Sequence, residues 1–267
     1  MSGTITLLTD FGTRDAYVAA MKGVIARIAP GVRVIDITHE VAPQDVRGAG
    51  ITWAAAARWF PEGTVHVAVV DPGVGTRRRI LAFRARGSIY LAPDNGLVGQ
   101  VLERREVREA RIVERKELFL PRVSRTFHGR DIFAPVAAHL ASGLELSAVG
   151  RPVPRGAYAR DELPRARVKK ARSGGGVFVE ARGEVIYIDV FGNAMTNLRP
   201  IEGMKLASLE AGRLVIQGLS SAYGEVRPGR PLAIEGSSGW IEIAVNRGSA
   251  ARELGIEVRA RVVARWR

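Results

Sequence analysis

The first half of the chain alternates short hydrophobic runs with stretches whose apolar residues recur every three or four positions. Runs rich in β-branched and other apolar side chains predict strands over residues 4–9, 32–38, 64–71, 79–85 and 88–93. Helical spacing predicts helices over residues 18–28, 45–60 and 132–143. Strands that alternate with helices are typical of an α/β layer fold, so we predict a mostly parallel central sheet in this half.

The pattern changes after residues 156–176, which are polar, charged and finally rich in glycine. Beyond them, β-rich runs such as EVIYIDV, PLAIEG and WIEIAV are separated by glycine turns, with room for one short helix around residues 249–254. Such a series is typical of a small antiparallel barrel or sandwich. We therefore predict an α/β N-terminal domain over residues 1–160, a linker over 161–175 and a smaller, all-β, barrel-like C-terminal domain over 176–267.

Composition changes this picture little. The chain has 267 residues, 46% of them hydrophobic and 25% charged, which is ordinary for a globular protein with its own core. No apolar stretch approaches the roughly 20 residues of a membrane span. The start, MSGTITLLTDFG, lacks the basic head and small-residue cleavage site of a signal peptide. We expect a cytoplasmic protein without a membrane partner.

The charge is strongly positive, with a formal net value of +13. Clustered basic residues would indicate a nucleic-acid binder, because they release counterions from phosphate backbones. Here the basic residues are mostly arginines, and they are spread from Arg14 to Arg267. This dispersion favours a surface of ion pairs over a nucleic-acid-binding stripe. A nucleotide or RNA binder without catalytic activity stays an alternative that the charge alone supports.

The absence of cysteine and the placement of the histidines narrow the possible chemistry. Without cysteine there is no disulfide, no thiolate nucleophile and no cysteine metal site. No HExxH motif or pair of histidines at metal-ligand spacing occurs. His66 alternates within a predicted strand and His139 lies in a predicted helix, so both are expected to be packed, whereas His128 stands beside Gly129 before a predicted helix. We expect a site without a metal ion and without a cofactor.

Polar residues beside glycine follow several predicted strands. They occur in the motifs TDFG (9–12), VDPGVG (70–75), APDNG (92–96), FHGRD (127–131), DVFGN (189–193) and EGSSG (235–239). Ligands bind outside the carboxyl ends of parallel strands, so Asp10 and Asp71 are expected to share one crevice. Taken singly, each motif is better explained as a turn, because Asp and Asn next to Gly are the commonest turn formers.

Taken together and in order, the motifs carry a family resemblance. The set comprises TDFGTRDAYVAAMKG, DITHEVAPQDVRGAG, VVDPGVGTRRR, APDNGL, TFHGRDIFAPVAAHLASG, IDVFGNAMTNL and EGSSGWIEIAVNRGSAA. It resembles the S-adenosyl-L-methionine hydroxide adenosyltransferases, relatives of fluorinase and chlorinase, over nearly the whole chain. The resemblance implies a homotrimer with substrate between domains of neighbouring subunits. It also implies hydrolysis of S-adenosyl-L-methionine to adenosine and L-methionine, by attack of water or hydroxide on the ribose C5′.

The family's catalytic triad falls on Asp71, Arg78 and His128. A sulfonium leaves as a neutral thioether, so the remaining difficulty is to align water and make it more anionic. The resemblance implies that Asp71 and His128 orient the water and accept its proton, while Arg78 holds Asp71 and favours a developing hydroxide. The family's spacing of its arginine beyond the aspartate selects Arg78 over Arg77 and Arg79, with a slip of one residue left open.

The resemblance also implies contacts to substrate from Asp10, Asp15, Asp189, Asn193, Ser237 and Ser238. Asp10 would grip the ribose diol, because one carboxylate accepts two hydroxyl hydrogen bonds. Asp15 and Asp189 suit the methionine end, with Asp189 taking the ammonium. Asn193 would read an adenine edge, and the two serines would meet the methionine carboxylate. For Asp189 and Asn193, a glycine-assisted β turn stays open as the alternative.

Departures from the halogenases bear on the nucleophile. Where these enzymes carry a tyrosine, this chain has Asp71, and where they carry a tyrosine and a serine it has His128 and Gly129. A carboxylate repels a halide ion, and the hydroxyl groups that surround the halide are missing. The halogenase tryptophan beside the ribose corresponds to Gln44, which leaves one wall of that pocket undefined. Hydroxide is favoured as the nucleophile, and a 5′-halogenase stays the alternative.

Overall fold

The structure, a computed structural model, describes residues 3–173 and 176–267. The chain divides into two compact units, Met1–Glu162 and Leu163–Arg267. Of the helices within the described ranges, none has the length and apolar run that crossing a bilayer requires.

The first unit is a six-stranded sheet with helices on both faces. Its strands and α-helices are β1 (Thr4–Thr9), α1 (Tyr17–Ile28), β2 (Arg33–Thr38), α2 (Val46–Ala57), β3 (Val65–Val69), β4 (Ile80–Ala85), β5 (Ser88–Pro93), α3 (Val98–Val101), β6 (Val107–Ile112) and α4 (Ala134–Ala141). Short 3₁₀ turns cover Lys116–Leu118 and Leu146–Val149, and a π-helical turn, Gly129–Phe133, leads into α4.

The strand order in this sheet is β2-β1-β3-β5-β4-β6. The pairs β1–β2, β1–β3 and β3–β5 are parallel, whereas β4 runs antiparallel to β5 and β6. The β4–β5 reversal is a two-residue turn in which Arg86 and Gly87 have φ of 49° and 70°, the sign that tight hairpins require. The prediction of an α/β domain with a mostly parallel sheet is confirmed.

Both faces of this sheet are apolar because the strands alternate between two cores. Ile5 and Leu7 of β1 pack with residues of α1 and α4, such as Met21, on one face. Leu8 packs with Trp53 of α2 on the other. Two covered faces explain why β3 is buried at all five positions and why its sequence is hydrophobic except for His66.

The second unit is an all-β structure with one short helix. Its elements are β7 (Arg167–Ser173), β8 (Gly176–Ile188), β9 (Ala194–Thr196), β10 (Leu206–Ala211), β11 (Leu214–Gln217), a 3₁₀ turn (Tyr223–Glu225), β12 (Pro231–Glu235), β13 (Ile241–Val245), α5 (Ala250–Leu254) and β14 (Arg261–Trp266). The strands are paired antiparallel in the order β11-β10-β14-β8-β9-β13-β12, and β7 also pairs with β8. A bridge between Ser220 and Ile234 brings the two ends of this series together. The prediction of a barrel-like all-β domain is confirmed.

The expected linker over residues 161–175 differs from the structure. Strand β7, Arg167–Ser173, occupies the middle of that range and pairs with β8 from Arg167↔Arg182 to Ser173↔Gly176. Residues 174 and 175 lie outside the described part. A strand composed mainly of charged residues has no apolar signal, and its backbone pairing at the edge of the sheet stabilises it instead.

Candidate functional site

A cavity of about 450 Å³ opens at the carboxyl ends of β1 and β3. These strands are parallel neighbours with Thr9 opposite Val69, so the aspartates that follow them emerge at the same edge of the sheet. The cavity is lined by Asp10, Phe11, Tyr17, Gln44, Val69, Asp71, Pro72, Val74, Thr126, Phe127, His128 and Gly129. The shared crevice expected for Asp10 and Asp71 is therefore present; we call it the first cavity.

The loop after β3 folds back so that its end meets its beginning. The Val74 N–H donates to the Asp71 carbonyl at 3.2 Å, and the Thr76 hydroxyl donates to the Gly73 carbonyl at 2.7 Å. Gly75 has φ of 76°, and a Cβ there would lie 2.2 Å from the Arg125 carbonyl oxygen. A side chain at position 75 would thus be strained and would clash with backbone, which explains the glycine in VDPGVG.

This fold-back pairs Asp71 with Arg78. Arg78 Nε donates to Asp71 Oδ1 at 3.0 Å, and Arg78 Nη2 donates to Asp71 Oδ2. The two side chains are only 4% and 7% exposed, so the pair is a buried, two-pronged ion pair. Arg79 instead pairs with Asp94, with Nε 2.8 Å from Oδ2, and Arg77 is exposed. Geometry therefore selects Arg78 from the three consecutive arginines as the partner of Asp71.

His128 reaches the same pair from the other side of the first cavity. It immediately precedes the π-helical turn, and its Nδ1 lies 3.4 Å from Arg78 Nη2. The next residue must be small, because a Cβ on Gly129 would lie 3.0 Å from Phe11 and 3.1 Å from the sulfur of Met21. Buried Asp131 holds the segment by accepting a hydrogen bond from the Ser124 N–H at 2.8 Å.

The environment shifts the titration of both candidate bases. Burial raises the pKa of the Asp71 carboxyl, although the Arg78 cation opposes that rise. Burial and then the Arg78 charge lower the pKa of the His128 imidazole. Asp71 is thus a stronger base than an exposed aspartate, and His128 is neutral at neutral pH.

Asp10, another residue that lines the cavity, is held by a backbone hydrogen bond. The Gln44 N–H donates to Asp10 Oδ2 at 2.9 Å, with Gln44 itself at φ of 65°, an uncommon value for a residue other than glycine. Gln44, which the resemblance aligns with the halogenase tryptophan beside the ribose, lines the cavity. Asp15 is exposed, and the described residues that line the cavity do not include it.

Sequence reasoning missed an aromatic wall of this cavity. Phe11, Tyr17 and Phe127 pack together with ring centroids 5.1–5.9 Å apart, and all three line the cavity. These three aromatic residues stand next to or near polar motif residues, in TDFG, DAYV and TFHG. Their positions in the motifs could have predicted that they line the site.

A second cavity, of about 720 Å³, lies within the second unit. It is lined by Asp189, Phe191, Asn193, Tyr223, Ile234, Glu235, Gly236, Ser237, Glu242, Val245, Arg247 and Gly248. It brings together three of the four substrate contacts predicted in this unit. The fourth, Ser238, lies in the same Gly236–Gly239 turn, where the Gly239 N–H donates to the Gly236 carbonyl at 2.8 Å. The described residues that line the second cavity do not include Ser238.

Asp189 and Asn193 form the turn that the sequence left open as an alternative. Asp189 Oδ1 accepts hydrogen bonds from the backbone N–H groups of Phe191 at 2.9 Å and Asn193 at 2.8 Å. Its Oδ2 accepts from Asn193 Nδ2 at 2.9 Å, and Gly192 has φ of 85°. Both residues therefore stabilise a turn while they line the second cavity.

Glu242 is the most buried charged group of the second cavity, and sequence reasoning missed it. It lies on β13, whose five residues are all buried, and it is 8% exposed. The Tyr223 hydroxyl lies 3.5 Å from Glu242 Oε2. Burial, followed by the negative charge of Asp189, raises the pKa of the Glu242 carboxyl. The available signal was a charged residue between isoleucines in the apolar run WIEIAV.

Metal-binding groups are absent from the part of the chain that the structure describes, where no three His, Asp or Glu side chains are close enough together to hold an ion. His66 is buried, and its ring contacts the Thr6 hydroxyl at 2.9 Å. Burial lowers the pKa of His66 to about 4, which keeps it neutral in the core.

Comparison with known protein families decides the family. Residues 5–150 match the S-adenosyl-L-methionine hydroxide adenosyltransferase N-terminal domain, and residues 183–263 match the C-terminal domain of the same family. The chain belongs to this family. The resemblance found in the sequence motifs is thereby confirmed, and it extends to both structural units.

Individual relatives agree with the family. An (R)-S-adenosyl-L-methionine hydrolase from Thermus thermophilus is 42% identical over 95% of this chain and 96% of its own length. The hydrolase of the same name from Salinispora tropica is 39% identical over 94% of each chain. A fluorinase from Actinoplanes is 31% identical over 91% of this chain and 90% of its own.

Solved structures give the same picture of the fold. An uncharacterized conserved protein from Thermotoga maritima superposes with a TM-score of 0.85 at 36% identity, covering 97% of this chain and 99% of its own. A conserved hypothetical protein from Thermus thermophilus superposes with a TM-score of 0.78 at 39% identity, covering 98% of this chain and 99% of its own.

Proposed function

We propose that the protein hydrolyses S-adenosyl-L-methionine to adenosine and L-methionine by attack of water at the ribose C5′. The observation that carries this proposal is the buried Asp71–Arg78 pair with His128 beside it, in one cavity with Asp10. Membership of the family and the hydrolase names of its relatives support the substrate.

The reaction is balanced without a metal ion or a cofactor. The water oxygen forms a bond to C5′ while the C5′–S bond breaks and its electron pair passes to sulfur. Sulfur leaves as the neutral thioether of methionine, so no acid is needed on the leaving group. The proton lost by the water passes to Asp71 and then to solvent. We therefore propose an enzyme that is independent of metals and cofactors.

The hydrogen bonds indicate different roles for Asp71 and His128. A guanidinium has no acceptor, so His128 Nδ1 accepts the hydrogen bond from Arg78, and the ring hydrogen of the neutral imidazole then lies on Nε2. The ring of His128 is also hydrogen-bonded to the Ser124 backbone, and from this fixed position it lies beside the water and orients it. Asp71, whose pKa is raised by burial, accepts the proton.

Arg78 serves both groups. Its guanidinium fixes the Asp71 carboxylate through two hydrogen bonds and lies close enough to His128 to set the ring orientation. It also supplies a positive charge that favours hydroxide character on the attacking water in a largely buried environment. The three groups thus act as one unit around the nucleophile.

The same charges favour water over a halide ion, which is the alternative nucleophile. The buried Asp71 carboxylate repels fluoride or chloride, and the cavity holds no ring of small hydroxyl groups among its described residues. The fluorinase from Actinoplanes is also less similar to this chain than the hydrolases from Thermus thermophilus and Salinispora tropica. A 5′-halogenase would form 5′-fluoro- or 5′-chloro-adenosine in high halide.

We propose that substrate is bound by both cavities. Asp10 in the first cavity accepts hydrogen bonds from the ribose diol, and the residues of the second cavity contact the adenine and methionine ends. Asn193 reads the adenine, and Ser237 with Ser238 meets the methionine carboxylate. We further propose that the two cavities meet between neighbouring subunits of a cytoplasmic homotrimer, since a cyclic ring closes such heterologous contacts.

Incubation of purified protein with S-adenosyl-L-methionine and EDTA tests this function. We expect equal amounts of adenosine and methionine by chromatography, undiminished by the chelator. Lack of adenosine across several pH values and temperatures would refute the proposal. Halogenated nucleoside in high chloride would instead favour the 5′-halogenase.

A further inference from the structure

Glu242 occupies an unusual position for a carboxylate. It is 8% exposed, yet it lines the open second cavity from the middle of β13. Room for it is provided by Gly236, where a Cβ would lie 1.9 Å from Glu242 Oε1. The Tyr223 hydroxyl approaches the other oxygen at 3.5 Å, the long limit of a hydrogen bond. The local structure is thus shaped around a buried carboxylate that faces open space.

The electrostatic surroundings of Glu242 disfavour its charge. Its strongest charged neighbour is Asp189, and this like charge adds to burial in raising the pKa of the Glu242 carboxyl. Burial of a carboxylate is unfavourable unless a cation or several donors compensate. A residue that is unfavourable for folding is expected where function requires it, so the missing compensation is expected to come from a cationic ligand.

Asp189 is a weaker candidate for that ligand than the sequence indicated. Both of its carboxylate oxygens already accept hydrogen bonds within the 189–193 turn, three in total. They shape the loop that carries Phe191 and Asn193 to the second cavity. The resemblance implies that Asp189 contacts the ammonium. Glu242 is a second candidate for this contact, because it accepts fewer hydrogen bonds within the fold.

We infer that Glu242, supported by Tyr223, is the residue that binds the α-ammonium group of the methionine half of the substrate. An ammonium between Glu242 and Asp189 would turn a repulsive pair of carboxylates into an attractive triad. Arg247, which lines the same cavity, suits the α-carboxylate together with Ser237 and Ser238. This inference rests on the proposed function and adds a residue that determines which end groups the site accepts.

Calorimetric binding of two ligands to the full-length protein tests the inference. S-Adenosylhomocysteine carries the ammonium but no sulfonium, and its desamino analogue lacks the ammonium. Glu242→Gln keeps the side-chain shape and removes the charge. A charge-assisted hydrogen bond contributes about 1.5–3 kcal/mol, so we expect S-adenosylhomocysteine to bind roughly 10- to 100-fold more weakly to this variant. Binding of the desamino analogue should change less than about threefold.

Matched variants separate this role from general effects. Glu202→Gln removes the same charge from an exposed residue of the same unit that is outside the described lining of the second cavity, and it should leave the ratio of the two affinities unchanged. Tyr223→Phe should reduce that ratio slightly. The melting temperature of Glu242→Gln should equal or exceed that of the wild type, because the change removes a buried charge beside the like charge of Asp189. If Glu242 had only a structural role, the variant should instead melt at a lower temperature.

Three results would overturn the inference. One is a wild-type protein that binds both ligands equally well. The second is a Glu242→Gln variant that weakens both ligands by the same factor. The third is an unchanged preference in Glu242→Gln together with a lost preference in Asp189→Asn. Failure of the proposed function looks different: the ammonium preference would depend on Glu242, while S-adenosyl-L-methionine would remain uncleaved by the wild type.

Discussion

The two cavities differ in how their charges are satisfied. In the first, Asp71 pairs with Arg78, Arg78 reaches His128, and Asp10 accepts a backbone hydrogen bond, so the protein itself supplies the partners. In the second, the buried Glu242 has Asp189 as a neighbour of like charge. The first cavity is organised before substrate arrives, whereas the second is completed by a ligand.

This difference assigns separate tasks to the two cavities. Groups that are already oriented by the fold need no rearrangement during the reaction, which suits stabilisation of a transition state. Groups whose charge is uncompensated gain most from a bound counter-ion, which suits affinity and selection. Changes to Asp71, Arg78 and His128 in the first cavity should therefore act mainly on kcat, and changes in the second cavity mainly on KM.

The largest effect is expected from Asp71→Asn. This change removes the proton acceptor, and loss of a positioned acid–base group typically lowers kcat by about 10²- to 10⁴-fold. Single-turnover rates measure it, and calorimetric affinity should change much less. The matched control is Glu106→Gln, which alters the two-pronged pair with Arg86, outside the described lining of either cavity, where both contacts are 2.7 Å. A wild-type rate in Asp71→Asn would contradict the catalytic role of Asp71 and would mean that the loop after β3 is only a structural turn.

A second variant keeps this prediction independent of folding, because Asp71→Asn also disturbs a buried ion pair. His128→Ala leaves the Asp71–Arg78 pair in place and should lower kcat strongly as well. Because the groups act together, the double variant should lose much less than the product of the single losses. Fully multiplicative losses would show that Asp71 and His128 act independently.

Asp10→Ala should act on affinity. The ribose diol is held in both the ground state and the transition state, so loss of its acceptor should raise KM by about 10- to 100-fold, as expected for hydrogen bonds to a charged group. Steady-state kinetics measures this rise. Glu117→Ala, a change at an exposed residue outside the described lining of the first cavity, serves as the comparison. A fall in kcat as large as that of Asp71→Asn would remove the separation between binding and catalysis.

The pH dependence should reflect the shifted groups of the first cavity. Activity requires Asp71 ionised and His128 neutral, so kcat/KM should fall as the pH is lowered. Burial raises the pKa of Asp71 from 3.8 and lowers that of His128 from 6.5, so the acid limb should lie above pH 3.8. Rates measured after a pH jump from neutral solution exclude acid unfolding. An acid limb at or below pH 3.8 would contradict the raised pKa of Asp71.

The smallest effect is expected at Gly129. The Cβ of Gly129→Ala would crowd Phe11 at 3.0 Å, and such overpacking lowers stability by about 1–3 kcal/mol. Gly23→Ala is the matched control, because no atom lies within 4 Å of the added Cβ in helix α1. It should raise stability by about 0.5–1 kcal/mol. Chemical unfolding measures both, and equal changes in the two variants would contradict the packing around His128.

Periodicity predicted most of the fold because most elements bury one or both faces. The apolar run of β3 and the alternating cores of β1 are examples. The charged strands β6 and β7 were not predicted, since they are held by backbone pairing with β4 and β8. No local pattern reports such pairing, because the charged residues of these strands have no apolar periodicity of their own.

The candidate site likewise contains residues that the sequence predicted and residues that it did not. Asp71, Arg78 and His128 were selected through the ordered motifs, and the folded loop explains why Arg78 stands seven positions beyond Asp71. Glu242 was missed because a single glutamate in an apolar strand resembles an exposed position, and only the closed sheet shows that its strand is buried throughout. The spacing of residues in the sequence does not predict a role that depends on burial.

The most direct test of the central claim, attack of water at C5′, follows the oxygen. Purified protein is incubated with S-adenosyl-L-methionine in water enriched in ¹⁸O, and both products are analysed by mass spectrometry. We predict adenosine with one ¹⁸O at the 5′ position and methionine without label, with Asp71→Asn forming this product far more slowly. Methylthioadenosine, unlabelled adenosine or an untouched substrate would contradict the account.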